Sequence, residues 1–134
     1  MKQTGFTLIE LVVTMAIIAI LVSVGLPSYK SYTMRGNRTD GIEALQQLLD
    51  AQERYYGDNM EYADDLKKLG LSSSTYTTQR NFYTIKVEKC TGMDYYQCVQ
   101  LRATPSSVQS EDGQLLFNSA GKQVRIVGGS EIDL

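Results

Sequence analysis

The chain has 134 residues, a formal charge of −2 at neutral pH, nine tyrosines, and neither histidine nor tryptophan. This length suits one domain, and the missing histidine removes the commonest general base and the commonest zinc ligand. The mild acidity gives no general electrostatic reason to bind nucleic acid.

A short leader, MKQTG, precedes an apolar run from Phe6 to Leu26. A helix over this run, at a rise of ~1.5 Å per residue, would span about 31 Å, enough to cross a hydrocarbon core of ~30 Å. A secretory signal peptide would carry a longer basic region and a small-residue cleavage site after its apolar core, whereas Pro27 follows the core here. We therefore predict processing between Gly5 and Phe6, which leaves the apolar helix attached to the mature protein.

The residues around this cleavage point form the most specific motif in the chain. Gly5, Phe6 and Glu10 lie within the run GFTLIELVV, which closely resembles the N-terminal signature of the type IV pilin family. The resemblance implies that a prepilin peptidase cleaves after Gly5 and methylates the new amine of Phe6. It also implies the pilin fold, in which a long helical spine packs on a four-stranded antiparallel sheet.

Glu10 is the one charged residue in the apolar run. Charged residues placed deep in a membrane cost ~2.5–3.5 kcal/mol on insertion scales. One interpretation is that Glu10 reaches the interface and interacts favourably with the N-terminal helix dipole. The other is that Glu10 pairs with the Phe6 amine of a neighbouring subunit in a helical array, so that two costly charges neutralise each other in one axial register. The family resemblance favours the second interpretation.

We expect the helix to continue beyond the apolar run. Pro27 removes a backbone donor and clashes with the preceding turn, which predicts a bend near Gly25–Pro27. Apolar residues then recur at helical spacing, and the helix is predicted to end at the turn residues Gly57-Asp58-Asn59. The recurring residues include Ile42, Leu45, Leu49 and Tyr56. This pattern indicates one long helix with an apolar first half and an amphipathic second half.

The connection that follows, Tyr62 to Leu71, is predicted to contain a short helical turn. Its adjacent carboxylates, Asp64 and Asp65, lack further aligned oxygen ligands. They therefore suit an N-terminal charge cluster on a short helix better than a calcium site. We predict no metal site and no cofactor.

Alternation with a period of two then predicts four strands. These are Tyr83–Glu88, Val99–Ala103, Gln114–Asn118 and Gln123–Val127. Four short strands against one helix indicate an α+β domain with an antiparallel sheet. The predicted organisation is a cleaved leader over residues 1–5, a transmembrane and filament-core helix over 6–27, and a globular domain outside the cytoplasm over 28–134.

Cys90 and Cys98 are the two cysteines of the chain. In an exported domain a disulfide is expected, since two thiolates without histidine make an incomplete metal site and redox pairs more often have C-x-x-C spacing. In the pilin family the usual bridge closes a loop near the C-terminus, whereas these cysteines bracket the turn between the first two predicted strands. Roles of that C-terminal loop therefore do not transfer to Val127–Leu134. The compact size and short final strands resemble the minor-pilin branch.

Two functions follow from the N-terminal signature. The first is a structural subunit of a type IV pilus, held in the bacterial inner membrane by a single span and then assembled with other pilin subunits into an extracellular filament for adhesion, twitching motility or DNA uptake. Prepilin peptidase and the inner-membrane assembly machinery are the implied partners. The second is a pseudopilin of a type II secretion system, which the disulfide and the absence of a calcium-ligand cluster disfavour. No enzyme is expected, because Gly128-Gly129 and Gly121-Lys122 lack the rest of a phosphate-binding motif and no histidine can serve a nucleophile.

A third function is a minor pilin that captures DNA. The residues that could contact DNA are three cations and three tyrosines: Lys86, Lys89, Arg102, Tyr83, Tyr95 and Tyr96. Ordinary solvated strand faces explain these residues more simply. DNA capture would require a contiguous basic stripe.

Overall fold

The computed structural model describes residues 5–134. The chain divides into two compact units, one ending at Thr33 and the other running from Met34 to Leu134. One α-helix, α1, covers Leu8–Asn59 and contributes residues to both units. The leader residues 1–4 lie outside the described residues.

The first unit consists of the apolar part of α1. This is a helix long and apolar enough to cross a membrane, judged by length and composition. Its few hydroxyl groups bond to the helix itself: Thr14 Oγ1 donates to the Glu10 carbonyl at 2.6 Å and Ser23 Oγ donates to the Ile20 carbonyl at 2.8 Å. The helix is continuous through Pro27, and the bend near that residue stays a prediction.

The second unit begins with the amphipathic part of α1. Its buried residues recur three or four positions apart, as expected for one apolar stripe on a helix. They are Gly41, Ala44, Leu45, Leu48 and Gln52. The helix ends in the predicted turn, where Asn59 Nδ2 donates to the Tyr55 carbonyl at 2.9 Å and Met60 takes a positive φ of 57°.

An antiparallel meander follows the helix, and in the described part of the chain it has six strands in sequence order. These are β1 Thr75–Thr77, β2 Tyr83–Lys89, β3 Val99–Pro105, β4 Gln114–Asn118, β5 Gln123–Val127 and β6 Ser130–Asp133. The α+β class and the four central strands were predicted from the sequence, and both are confirmed. The two further strands form the edges of the sheet. They carry little sequence signal, because β1 is only three residues long and β6 is exposed along its whole length.

Two 3₁₀ helices connect these elements. The first, Leu66–Leu69, lies within the predicted helical turn, and the Asp65 side chain caps it by accepting a hydrogen bond from the Lys67 amide at 2.9 Å. The second, Ser107–Asp112, joins β3 to β4 and was not predicted. It buries two polar side chains, Gln109 and Asp112.

The core lies between α1 and one face of the sheet. The register places Ile85 opposite Ala103 and Ala103 opposite Leu115, so β2, β3 and β4 turn the same face toward the helix. Residues of that face pack against the stripe of α1. The other face of β2 and β3 consequently carries Lys86, Glu88 and Arg102.

Gly41 sits where α1 packs closely against the sheet. A Cβ added there would lie 2.8 Å from Tyr83 Cδ2 and 2.9 Å from Leu115 Cδ1, and both side chains are fully buried. Alanine would favour the helix by roughly 0.5–1 kcal/mol, but overpacking costs about 1–3 kcal/mol. We expect Gly41→Ala to lower the free energy of unfolding.

The matched control is Gly36, a glycine of the same helix with open space around its Cβ position. Gly36→Ala should raise the free energy of unfolding, since only the helix propensity changes. Urea unfolding of the two variants measures the difference. Equal stabilisation by both substitutions would contradict the close approach at Gly41.

Candidate functional site

The N-terminal end of α1 carries the residues predicted to direct processing and assembly. Thr7 precedes the helix, and its Oγ1 accepts a hydrogen bond from the Glu10 amide at 3.3 Å, as a capping residue does. Phe6 is 86% exposed, and the Glu10 side chain is also exposed. Within residues 5–134, no cation lies at ion-pair distance from the Glu10 carboxylate.

The large apolar side chains beyond Glu10, up to Leu26, are exposed as well, with accessibilities between 48% at Val22 and 67% at Leu21 and Val24. Soluble monomers rarely expose contiguous apolar patches larger than a few hundred Å². This surface therefore needs a membrane or other protein chains around it.

The second candidate surface is the loop between β2 and β3, which the predicted disulfide closes. Cys90 and Cys98 are bonded, with their Cα atoms 5.7 Å apart. The loop is also attached to the segment after α1, because the Tyr62 amide donates to the Tyr95 carbonyl at 2.9 Å. This attachment joins the loop to the end of the helix.

Aromatic side chains gather at this attachment. The rings of Tyr56 and Tyr62 lie 4.5 Å apart between centroids, and Lys89 Nζ lies 5.2 Å from the centre of the Tyr95 ring. Lys89 also pairs with Asp94, whose carboxylate raises the pKa of the lysine. Tyr96 remains 64% exposed, so the loop presents an aromatic surface to solvent.

Removing the disulfide is expected to destabilise this loop. Closing a loop of this size is worth roughly 2–3 kcal/mol in the chain-entropy model. The double variant Cys90→Ser/Cys98→Ser should therefore unfold at a lower urea concentration than the wild type. Its Tyr62 amide should also exchange hydrogen faster.

The Leu116 amide, in the central strand β4, serves as the internal control and should keep its protection in the native state. Unchanged exchange at Tyr62 in the double variant would mean that the disulfide does not hold the loop to the helix end. Free thiols in protein isolated without reductant would contradict the bond itself.

The outer face of β2 and β3 carries a compact charge network centred on Glu88. Lys86 Nζ and Arg102 Nε each lie 2.8 Å from a Glu88 carboxylate oxygen, and Gln100 donates to the same group at 3.2 Å. Burial alone would raise the pKa of Glu88, but the hydrogen bonds from Lys86 and Arg102 lower it. The cations of this face are thus largely neutralised by the protein.

This geometry bears on the residues named for DNA capture. Lys86 and Arg102 lie opposite each other on β2 and β3, as suggested, but share the Glu88 carboxylate. Tyr83 is fully buried in the core, so it cannot contact DNA. Strand alternation could have shown this, since Tyr83 and Lys86 are three residues apart and face opposite sides.

Sequence reasoning missed a buried polar network around Asp112. This residue is 3% exposed and forms a two-point ion pair with Arg38, in which Nε lies 2.8 Å from Oδ2. Arg125 Nη1 lies 3.1 Å from Oδ1, and the Tyr83 hydroxyl donates to Oδ2 at 2.9 Å. Four segments of the fold therefore meet at one carboxylate.

Gln109 extends this network to the helix backbone. Its Nε2 donates to the Met34 carbonyl at 2.7 Å, and its Oε1 accepts from Asn37 at 3.2 Å. Burial raises the pKa of Tyr83, which keeps its hydroxyl a donor. Burial alone would also raise the pKa of Asp112, but the hydrogen bonds from Arg38 and Tyr83, with the charge of Arg125, lower it.

Within the described residues, no group of three or more histidine, cysteine, aspartate or glutamate side chains could hold a metal ion.

Two family models match the chain. Residues 27–115 match the model described as type IV minor pilin ComP, DNA uptake sequence receptor. Residues 1–26 match the model described as the prokaryotic N-terminal methylation motif.

Curated relatives are also found. The chain is 34% identical over 86 residues to a fimbrial protein of Neisseria meningitidis serogroup A. The aligned residues are 64% of this chain and 51% of the relative. It is 35% identical over 86 residues to the type IV major pilin protein PilE of Neisseria gonorrhoeae, and the aligned residues are 64% of this chain and 52% of PilE. Over 44 residues it is 50% identical to the prepilin peptidase-dependent protein D of Escherichia coli K12, and the aligned residues are 33% of this chain and 30% of that protein. The chain spans about half the length of the first two relatives.

Proposed function

Because the chain belongs to the type IV pilin family, and within it to the ComP minor pilin family, we propose that it is a structural subunit of a type IV pilus. The observation that carries this proposal is the exposed apolar surface of α1, which lies in and directly after an N-terminal methylation motif. Before assembly the helix anchors the chain in the bacterial inner membrane, with residues 28–134 outside the cytoplasm. After assembly the same surface packs against other pilin subunits in the filament core.

Processing precedes assembly in this proposal. Prepilin peptidase removes residues 1–5 and methylates the amine of Phe6, and the inner-membrane assembly machinery then extracts the helix. The exposure of Phe6 and the cap at Thr7 support it, because the helix needs no residue of the leader to begin.

Sheared filaments test both steps. We expect this chain in purified filaments, with an intact mass that lacks residues 1–5 and carries one additional methyl group. A mature chain that begins at Met1, or after Pro27, would contradict the processing step. Absence from filaments in cells that express the chain at normal levels would contradict the function, and a secretion defect without a pilus defect would point to a pseudopilin.

DNA capture is a second candidate function, and the description of the matched family favours it. On the outer sheet face Glu88 compensates Lys86 and Arg102, so DNA contacts would rest on exposed cations outside the described ion pairs. Lys67 and Arg80 are such residues. Pili with and without this subunit should differ in DNA retention, and the difference should fall steeply with added salt.

The logarithm of the DNA-binding constant falls linearly with the logarithm of the salt concentration, and the variant Arg80→Gln should make that slope less steep by about one. Lys86→Gln is the matched control on the neutralised face and should change the slope less. Equal DNA retention by pili with and without the subunit would contradict DNA capture, and it would not contradict the proposed pilus function.

A further inference from the structure

Two exposed tyrosines follow directly on the apolar run of α1. Tyr29 and Tyr32 are 71% and 78% exposed, which makes them the most exposed of the nine tyrosines of the chain. Both belong to the first unit. Six of the other seven tyrosines are at least partly buried in the second unit. The fold therefore leaves this pair of aromatic rings uncovered.

The hydroxyl groups beside the pair are bonded within the helix, whereas those of the pair are not. Ser28 Oγ donates to the Val24 carbonyl at 3.3 Å, and Thr33 Oγ1 donates to the Tyr29 carbonyl at 3.0 Å. Among residues 5–134, neither phenol of Tyr29 and Tyr32 has a hydrogen-bond partner and neither ring contacts another ring or a cation. Three residues along a helix correspond to about 60° around it, so the two side chains share one face.

A tyrosine side chain has an apolar ring and a polar tip, and it is therefore suited to a boundary with one apolar and one wet side. Tyrosine is enriched where membrane-spanning helices leave the hydrocarbon and enter the headgroup region. Tyr29 and Tyr32 are continuous with a helix surface that is long and apolar enough to cross a membrane. The chemistry that suits this pair is thus that of a phospholipid surface.

The length of the helix agrees with this location, and here the inference rests on the proposed function, which places α1 in the membrane before assembly. Glu10 and Tyr29 are 19 residues apart, about 28 Å along a helix, and the hydrocarbon core of a bilayer is ~30 Å thick. When Tyr29 lies at one boundary of the core, Glu10 reaches the other, where its carboxylate contacts water.

We propose that Tyr29 and Tyr32 form an interfacial anchor, which binds phospholipid at the surface of the inner membrane that faces away from the cytoplasm and fixes the depth of α1 before assembly. The rings lie against the first carbons of the acyl chains, and the phenol hydroxyls donate to ester and phosphate oxygens of the lipid. Without the anchor, the boundary moves back to Leu26, the last apolar residue of the run. The helix then lies three residues, about 4–5 Å, further out of the membrane.

Fluorescence depth measurements locate the segment. The chain has no tryptophan, so one substitution introduces a single tryptophan, whose depth is measured by quenching with lipids brominated at known acyl positions. Full-length Tyr29→Trp and Val22→Trp are reconstituted separately in vesicles of pure phosphatidylcholine. We expect the fluorophore at position 29 about 15 Å from the bilayer centre, at the edge of the hydrocarbon, and the one at position 22 about 10 Å deeper.

Because tryptophan shares the interfacial preference of tyrosine, the role of the native pair needs a second measurement. The probe is kept at position 22, and Tyr29→Ser/Tyr32→Ser is added to it. We expect this probe to move about 4 Å away from the bilayer centre. The matched control adds Ser28→Ala/Thr33→Ala instead, which removes two neighbouring hydroxyls already bonded within the helix, and it should leave the depth unchanged.

The lipid headgroup separates the tyrosines from nearby cations as the cause. An aromatic anchor acts in phosphatidylcholine alone, whereas Lys and Arg side chains are attracted by anionic lipid. A shift on serine substitution in pure phosphatidylcholine therefore supports the tyrosine anchor. A depth that responds to added phosphatidylglycerol and not to the serine substitutions would overturn it.

The remaining outcomes separate the inference from the function beneath it. If the probe at position 22 is quenched deep in the bilayer but the serine pair moves it no more than the control does, the anchor is wrong and the membrane stage of the proposed function stands. If brominated lipid quenches neither fluorophore, the membrane stage is contradicted together with the anchor. Urea unfolding of the second unit, unchanged in all variants, verifies that the globular fold is intact.

Discussion

Replacing Asp112 by alanine is expected to lower the free energy of unfolding of the second unit by about 3–5 kcal/mol. The substitution removes the carboxylate that Arg38, Arg125 and the Tyr83 hydroxyl all contact. Two guanidinium groups are then left without their counter-charge, and Tyr83 is left in the core with its hydroxyl unpaired on that side. Breaking a buried ion pair on one side costs far more than the pair contributes when intact.

Urea unfolding followed by tyrosine fluorescence measures this loss. The matched control is Asp64→Ala, which breaks an exposed pair with Lys68 and should cost at most about 1 kcal/mol. If Asp112→Ala cost no more than the control, the network around Asp112 would not hold the helix to the sheet.

The same network predicts how stability depends on pH. The pKa of Asp112 is lower in the folded state than its ordinary value, which is about 3.9 in the unfolded chain. Its contribution is therefore fully present above that value and is lost as the pH falls through the lower, folded pKa. Asp112→Asn should flatten the acid limb of the stability profile, and an unchanged acid limb would contradict this assignment.

Replacing Glu10 by alanine is expected to abolish incorporation of this chain into filaments. The substitution should leave the second unit folded and the helix in the membrane, because an apolar helix inserts more readily without a charge. We expect this failure because the Phe6 amine of a neighbouring subunit would lose its counter-charge. Glu10→Gln keeps the shape and hydrogen bonding and deletes only the charge, so it should fail as well.

Thr14→Ala is the matched control, since it alters a polar side chain one turn further along the same apolar helix. It should enter filaments normally. Because contacts of the globular unit can carry a minor subunit into filaments, the variants are compared at wild-type expression with surface pili counted separately. If both Glu10 variants entered at the wild-type rate, Glu10 would be a tolerated interfacial residue and the pairing mechanism would be wrong.

The elements with local signals were predictable from the sequence. The long apolar run, the recurrence of Leu45 and Leu49, and the alternation in β2 and β3 each repeat within a few residues, so the pattern alone specifies the helix and the central sheet. The disulfide was predictable because two cysteines bracket one turn. The edge strands were not, because β1 and β6 contact the sheet through one neighbour each and bury almost nothing.

The Asp112 network was beyond sequence reasoning for a different reason. Arg38 and Asp112 are 74 residues apart, and Asp112-Gly113 has the composition of an ordinary turn. Only the tertiary fold brings the second 3₁₀ helix onto α1.

The position of the Gln109 and Asp112 contacts along α1 has a mechanical consequence. Beyond Thr33, the first residues of the helix bonded by side chains of the second 3₁₀ helix are Met34, Asn37 and Arg38. In a fibre built from such subunits, we expect tension along α1 to reach the second 3₁₀ helix through these bonds. We expect Met34, Asn37 and Arg38 to share this load, because their hydrogen bonds to Gln109 and Asp112 all lie within five residues of the helix. Such an arrangement suits a filament that bears tension.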